Sequence, residues 1–180
     1  EVKGVAPYIE TQGLLSSGSY LKGVYFYGIV PEHEKTVSII HNHILSGSFE
    51  SLEDEGYNLI IGDILAYQLG LNIGDNVNVL VPAAGLGIAG IFPRTKKFKV
   101  TGIFSVGAPE VDQSFAYMGI RNASKLLRTN EFINGVRIKY GDLFTSNYQV
   151  REDASRLRSD DKKMFTTATW QQNYGTLYQA

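Results

Sequence analysis

An α+β fold is predicted for this 180-residue chain by three observations. Two long runs of β-branched and aromatic residues open it, with a Gly/Ser break between them. A compact strand–helix–strand pattern follows, closed by a Gly-Asp turn. Short alternating segments and single helical stretches then run towards the C-terminal end.

In order, Val5 to Leu15 and Tyr20 to Val30 read as strands. Ser16-Ser17-Gly18-Ser19 reads as their hairpin turn, because Gly and Ser accept tight backbone angles. Pro31 ends the second strand, having no N–H to extend a ladder. Glu32 to Glu55 is polar, with short helical or loop pieces around Val37 to Leu45, and reads as a connection between two modules. Tyr57 to Ile61 is a short buried strand, after which Asp63 stands where its carboxylate would cap a helix. Ile64, Leu65, Tyr67, Leu69 and Leu71 supply apolar side chains, and Gly70 ends the helix in the left-handed region. Gly74-Asp75 turns the chain into Val77 to Val81, where alternation with Asn76 and Asn78 marks a half-buried strand.

A long tip, Ala83 to Arg94, follows Pro82, and strand character resumes at Phe98 to Phe104. These two strands form a hairpin with an extended end. Tyr117 to Ile120 reads as a strand, Asn122 as the cap of a helix Ala123 to Arg128, and Gly135 to Tyr140 as another strand. Val150 to Arg158 reads as a charged helix and Met164 to Thr167 as a last strand. Trp170, Tyr174 and Tyr178 are four apart, which places them on one helical face.

Composition removes several classes of function. Hydrophobic residues make up 43%, enough for a core without disulfide staples. The net charge of -1 lacks the positive footprint of a general nucleic-acid binder. With no cysteine there is no disulfide, no thiolate zinc ligand and no thiol nucleophile. The longest apolar candidate, Val79 to Phe92, is broken by Pro82, Gly85, Gly87 and Gly90, short of the ~18 uninterrupted residues a membrane helix needs. Beginning at Glu1 rather than Met, the sequence reads as a piece of a longer protein.

Reactive groups are few. His41 and His43 would point the same way on a strand, but no third ligand stands at zinc-motif spacing, so neither metal nor cofactor is predicted. Glu110 and Asp112 could support acid–base work, yet no nucleophile, metal or oxyanion donor stands near them in sequence. Gly85 to Gly90 fits G-x-G-x-x-G, but Pro93 and a strand follow where a phosphate loop needs a helix. No catalytic residue is assigned, and the chain is read as a non-enzyme. The tip is more informative. Leu86, Ile88, Ile91 and Phe92 are apolar in a segment too Gly-rich for a core strand, with a basic flank at Arg94, Lys96, Lys97 and Lys99. Such a tip suits insertion against a partner protein or lipid-bearing surface, or folds back on its own domain.

Several strings together resemble the lipoprotein-releasing membrane subunits LolC and LolE of Gram-negative bacteria. They include Val5-Ala6-Pro7-Tyr8-Ile9, Gly13-Leu14-Leu15, Leu21-Lys22-Gly23-Val24 and Gly28-Ile29-Val30-Pro31-Glu32. Ile60-Ile61-Gly62-Asp63, Leu69-Gly70-Leu71 with Gly74-Asp75 and Val77, and Val81-Pro82 leading to Phe92-Pro93-Arg94 continue the likeness. Gly102-Ile103-Phe104, Asp112 with Ser114 to Met118, and Trp170 to Leu177 complete it. Phe92-Pro93-Arg94 looks LolC-like, whereas Val5 to Ile9 and Asp112 to Ala116 lean towards LolE.

The resemblance implies an α+β periplasmic domain of MacB type. A porter-like subdomain is expected from residues 1–50 and 131–180, with a Sabre-like β-rich subdomain, 51–130, inserted between them. It implies a hook at 83–95 that captures the periplasmic chaperone LolA, with Leu86, Ile88, Ile91, Phe92, Pro93 and Arg94 as contacts. Implied partners are lipoprotein substrates, a second LolC/LolE-type subunit and a LolD-like ATPase, with no nucleic acid. The implied location is the periplasmic face of the Gram-negative inner membrane, with Trp170, Tyr174 and Tyr178 near the bilayer surface. Rival expectations are a MacB- or FtsX-like domain serving another periplasmic process, and a small-barrel hydrolase.

Overall fold

In a computed structural model, the described residues are 1–82, 93–130, 132–141, 149, 150, 153, 155 and 166–168. The opening runs form a long antiparallel hairpin of β1 (Val2–Ser17) and β2 (Tyr20–Ile29), with Ser17 opposite Tyr20 and Gly18 at a φ of 56° in the turn. Pro31 then begins α1 (Pro31–Val37), where its fixed φ suits the first turn and its missing N–H costs nothing. A 3-10 turn (Ile40–His43), β3 (Ile44–Gly47) and a second 3-10 turn (Glu50–Glu53) lead to β4 (Asn58–Gly62). Next come α2 (Asp63–Leu69), β5 (Asn76–Val81), β6 (Arg94–Phe104) and α3 (Pro109–Asp112). The last described elements are β7 (Phe115–Gly119), α4 (Ile120–Leu127) and β8 (Gly135–Tyr140).

The sheet runs β2-β7-β4-β6-β5-β1-β8, and β1 also pairs back to β2. Leu14, Leu15 and Ser16 each face a partner on both sides, in β2 and in β5. Six strands therefore close on themselves as a barrel, with β3 added on β6 and β8 beside β1. Directly opposed residues share a face. The inward set accordingly comprises Leu15, Val24, Phe26, Leu59, Ile61, Val79, Phe98 and Met118, all buried in one cluster. Leu65 and Leu69 of α2 and Leu126 of α4 join that cluster. Each such side chain contributes about 1.5–3 kcal/mol when removed from water, which makes the barrel the stable centre of the fold.

Helix α2 ends as its sequence predicts. Gly70 sits at φ 62°, its N–H reaches the Tyr67 carbonyl, and the Leu71 N–H reaches that of Ala66, a Schellman closure. Its start differs from expectation. Gly62 is the capping residue and Asp63 the first helical one, its Oδ1 accepting from the Ile64 N–H at 2.7 Å. Packing decides this, because a Cβ at Gly62 would lie 2.0 Å from the Asp112 carbonyl oxygen. Likewise Gly119, not Asn122, precedes α4, and the Asn122 amide donates to the Gly56 carbonyl.

The segment expected to be a connection is part of the body. Ile40, Phe49 and Leu52 pack with Ile29, Ile60, Phe104 and Tyr117 in a second cluster, on the outward side of the strands. The chain separates into two compact units, Gly4–Lys139 and a unit of Glu1–Lys3 with Tyr140–Ala180. Ile9, Leu15, Val24 and Phe26 share a core with residues between Leu59 and Leu126, so the barrel cannot form from 51–130 alone. In the smaller unit, the Gly141 N–H donates to the Glu1 carbonyl at 3.0 Å. There the Tyr140 hydroxyl donates to Asp153 at 2.8 Å, and burial, with that bond, pushes its pKa up to about 12. The helix expected at Val150 to Arg158 lies mostly, and Trp170 to Ala180 wholly, outside the described residues.

Candidate functional site

The long hairpin keeps its ladder to its end. Strands β5 and β6 pair from Asn76–Lys99 to Val81–Arg94, so strand structure resumes at Arg94, four residues before the expected Phe98. The basic flank thus belongs to a strand and not to the tip, and 83–92 lie outside the described residues. Of the expected contacts, Leu86, Ile88, Ile91 and Phe92 fall in that stretch; Pro93 is exposed and Arg94 half-buried.

Arg94 has a partner within the fold. Its guanidinium donates to the carbonyl of Leu127 and, at 3.4 Å, to that of Leu126. Helix α4 ends on Arg128 in the left-handed region at φ 56° without a glycine. Its last carbonyls carry the negative end of the helix dipole, which a guanidinium complements. The root of the hairpin is therefore tied to α4 as well as to β5. Lys96 is also engaged, its Nζ 4.2 Å from the Tyr57 ring centroid. Beside the hairpin, Leu14, Leu21 and Tyr25 are exposed on one outward face of the barrel, next to Leu80 of β5.

The other sequence candidates have structural roles. Asp112 is buried, and its carboxylate accepts from the Val106 and Gly107 N–H groups at 2.9 and 3.0 Å. It organises the turn before α3. His41 and His43 lie in a 3-10 turn and not on a strand. The expectation that they point the same way fails because period two applies only to extended backbone. His41 packs its ring 6.2 Å from that of Phe49. Among the described residues no group of three or more His, Asp or Glu could hold a metal.

Two features escaped sequence reasoning. A cleft of about 630 Å³ is lined by Pro31, Glu53, Glu55, Tyr57, Arg121 and Lys125, among others, and so carries both acidic and basic groups. Glu34 pairs with Arg137, 103 positions away, at 2.7 Å. Nothing local in the sequence signals either feature.

One surface carboxylate is strongly perturbed. The Lys35 ammonium, 2.9 Å from Glu50, and the Ser48 hydroxyl hold the Glu50 carboxyl down at about 2, from a usual 4.5. The stability this adds is present above pH 4.5 and is lost as pH falls towards 2. Carbon-13 NMR titration is expected to give a Glu50 midpoint near 2 that moves back towards 4.5 in Lys35→Met.

Solved structures place the fold. The extracellular domain of YknZ, a noncanonical ABC-type transporter from Gram-positive bacteria, superposes with a TM-score of 0.62 at 15% identity, over 91% of this chain and 78% of that one. The periplasmic region of MacB from Actinobacillus actinomycetemcomitans gives 0.59 at 15% identity, over 99% of this chain and 77% of that one. The α+β fold is thus that of MacB-like extracytoplasmic transporter domains. No family model matches. Sequence relatives are more specific. LolC of Xylella fastidiosa, a lipoprotein-releasing system transmembrane protein, is 34% identical over 98% of this chain and 41% of its own length. LolC of Neisseria meningitidis serogroup B is 35% identical over 78% and 34%, and LolE of Haemophilus influenzae 27% over 99% and 42%. Over the region that it covers, the chain belongs to the family of the lipoprotein-releasing system transmembrane proteins LolC and LolE. It spans about two fifths of the length of the LolC relative from Xylella. Among the described residues no helix is long and apolar enough to cross a membrane.

Proposed function

We infer that this chain is the periplasmic domain of a lipoprotein-releasing transporter subunit at the Gram-negative inner membrane, and that its long hairpin is a hook for the chaperone LolA. In this reading the domain hands lipoproteins on, beside a second LolC/LolE-type subunit and a LolD-like ATPase, and carries out no covalent chemistry itself.

The observation that carries the reading is the base of the hairpin. Pairing persists to Val81–Arg94 and Arg94 is bound to the end of α4, so the apolar stretch from Leu86 to Phe92 departs from a fixed root. A fixed root lowers the ordering cost that a loop of free residues bears on binding, about 1–2 kcal/mol for each residue immobilised. Contact with the chaperone then falls to Leu86, Ile88, Ile91, Phe92 and Pro93, while Arg94 is already engaged with α4 in the free chain.

Calorimetric titration of purified LolA into the 180-residue chain tests this. Saturable one-to-one binding is the expected result. Absence of heat and of co-elution at high micromolar concentrations counts against the hook and favours a MacB-like domain with a different periplasmic task.

A further inference from the structure

Strand β8 ends the sheet and has little apolar burial to hold it there. None of its residues is buried, and Val136 and Ile138 are 48% and 40% exposed. Segments with few buried apolar contacts open at a lower free energy than the rest of a fold. One β8 side chain reaches into the structure. The Arg137 guanidinium lies 5.4 Å from the Tyr8 ring centroid and 5.8 Å from that of Tyr27, and donates to Glu34 Oε2 at 2.7 Å.

The pair is lopsided. Glu34 has no exposed surface at all, whereas the Arg137 side chain is 35% exposed. The second oxygen of Glu34 has no hydrogen-bond partner among the described residues. Glu34 therefore relies on Arg137 for compensation of its charge, and it sits on α1, which follows β2 and belongs to the firmly packed part of the barrel unit. Removing one member of a buried pair strands the other, which costs far more than the net worth of the intact pair. Besides the ladder of β8 on β1, two hydrogen bonds among the described residues hold the chain just before the strand: the Asn134 N–H to the Tyr8 carbonyl, and the Glu10 N–H to Asn134 Oδ1.

We propose that Glu34 and Arg137 form a latch that decides whether β8 lies on the sheet or comes away from it. The position gives the latch a role. Lys139 is the last residue of the barrel unit, and at Tyr140 the chain passes into the second unit. A strand fastened there by its ladder to β1 and by this ion pair can release and redock without disturbing the barrel core, which none of its side chains enters.

Backbone nitrogen-15 relaxation on the 180-residue chain tests the latch. In the unaltered chain, amides 135–139 are expected near the rigid order parameter of about 0.85. In Arg137→Met the same amides are expected below about 0.6, while Leu59 to Ile61 of β4 stay near 0.85. Glu34→Gln strands only a partly exposed Arg137, so its effect is expected to be smaller. Adding Glu34→Gln to Arg137→Met removes the stranded carboxylate and is expected to restore part of the order in β8. The proposal is overturned if β8 stays rigid in Arg137→Met, or if the double variant recovers nothing. It is equally overturned if Arg137→Met and Glu34→Gln both lose the dispersed spectrum of the barrel, because the pair would then hold the whole fold and not one strand.

Discussion

Chaperone binding is expected to weaken at least about thirtyfold in Phe92→Ala, the change that marks an interface hot spot. An apolar tip can offset the ordering of its own backbone only through an anchor buried in the partner, and Phe92 is the largest apolar side chain between Ala83 and Pro93. Pro93 beside it fixes one φ in advance. Deleting Gly85 to Gly90 shortens the reach and is expected to abolish binding. Both variants should retain the thermal transition of the parent, because the root of the hairpin is held by the Val81–Arg94 pairing and by Arg94 on α4, neither of which they alter. Arg94→Glu is different. It places a negative charge at the carbonyl end of α4, so it should lower stability by roughly 1–2 kcal/mol as well as binding. Calorimetry with the chaperone and thermal unfolding, run on the same samples, separate the two effects. Normal binding by Phe92→Ala and by the deletion would remove the hook reading.

Asp112→Ala is expected to cost about 2 kcal/mol of stability. Its buried carboxylate satisfies two backbone donors, Val106 and Gly107, in a part-buried turn, with the Ser105 hydroxyl at 3.4 Å. Truncation leaves two part-buried N–H groups without their acceptor, and a donor shut off from water costs about 1–3 kcal/mol, one that water reaches less. The same turn lies against Gly62, whose missing Cβ makes room for the Asp112 carbonyl, so disorder there reaches the junction of β4 and α2. Asp112→Asn keeps one acceptor oxygen and should lose about half as much. Urea unfolding monitored by circular dichroism measures both. Equal stability of Asp112→Ala and the parent would show that the turn is held by other contacts.

The local elements were legible because their signals are local. Gly18 in the hairpin turn, Gly70 at the end of α2, and the alternation of Val77, Val79 and Val81 with Asn76 and Asn78 each declare a conformation through the residue itself. The collinear strings from Val5 to Met118 carried the family in the same way, since a resemblance needs no geometry. The long hairpin was legible as a hairpin, but its root was placed four residues late. Arg94 to Lys97 look like a solvated basic run, and pairing with β5 is what makes them strand.

By itself, the sequence determined the opening hairpin, β4, α2, β5, β7, α4 and β8, the family, and the apolar character of the hairpin tip, while β3 and α3 carried no local signal. Tertiary structure alone decided the rest. Closure of the barrel depends on Leu14, Leu15 and Ser16 pairing with two strands at once, and no period in β1 encodes a second partner. Ile40, Phe49 and Leu52 lie in a polar stretch without helical or strand spacing, so only the outward face of the barrel shows that they are core. The assignment of Arg94 to α4, of Asp112 to a backbone turn and of Arg137 to Glu34 follows the same physics. A charged side chain half-buried or buried by folding needs a compensating partner, and here the partner is set by contacts far apart in sequence.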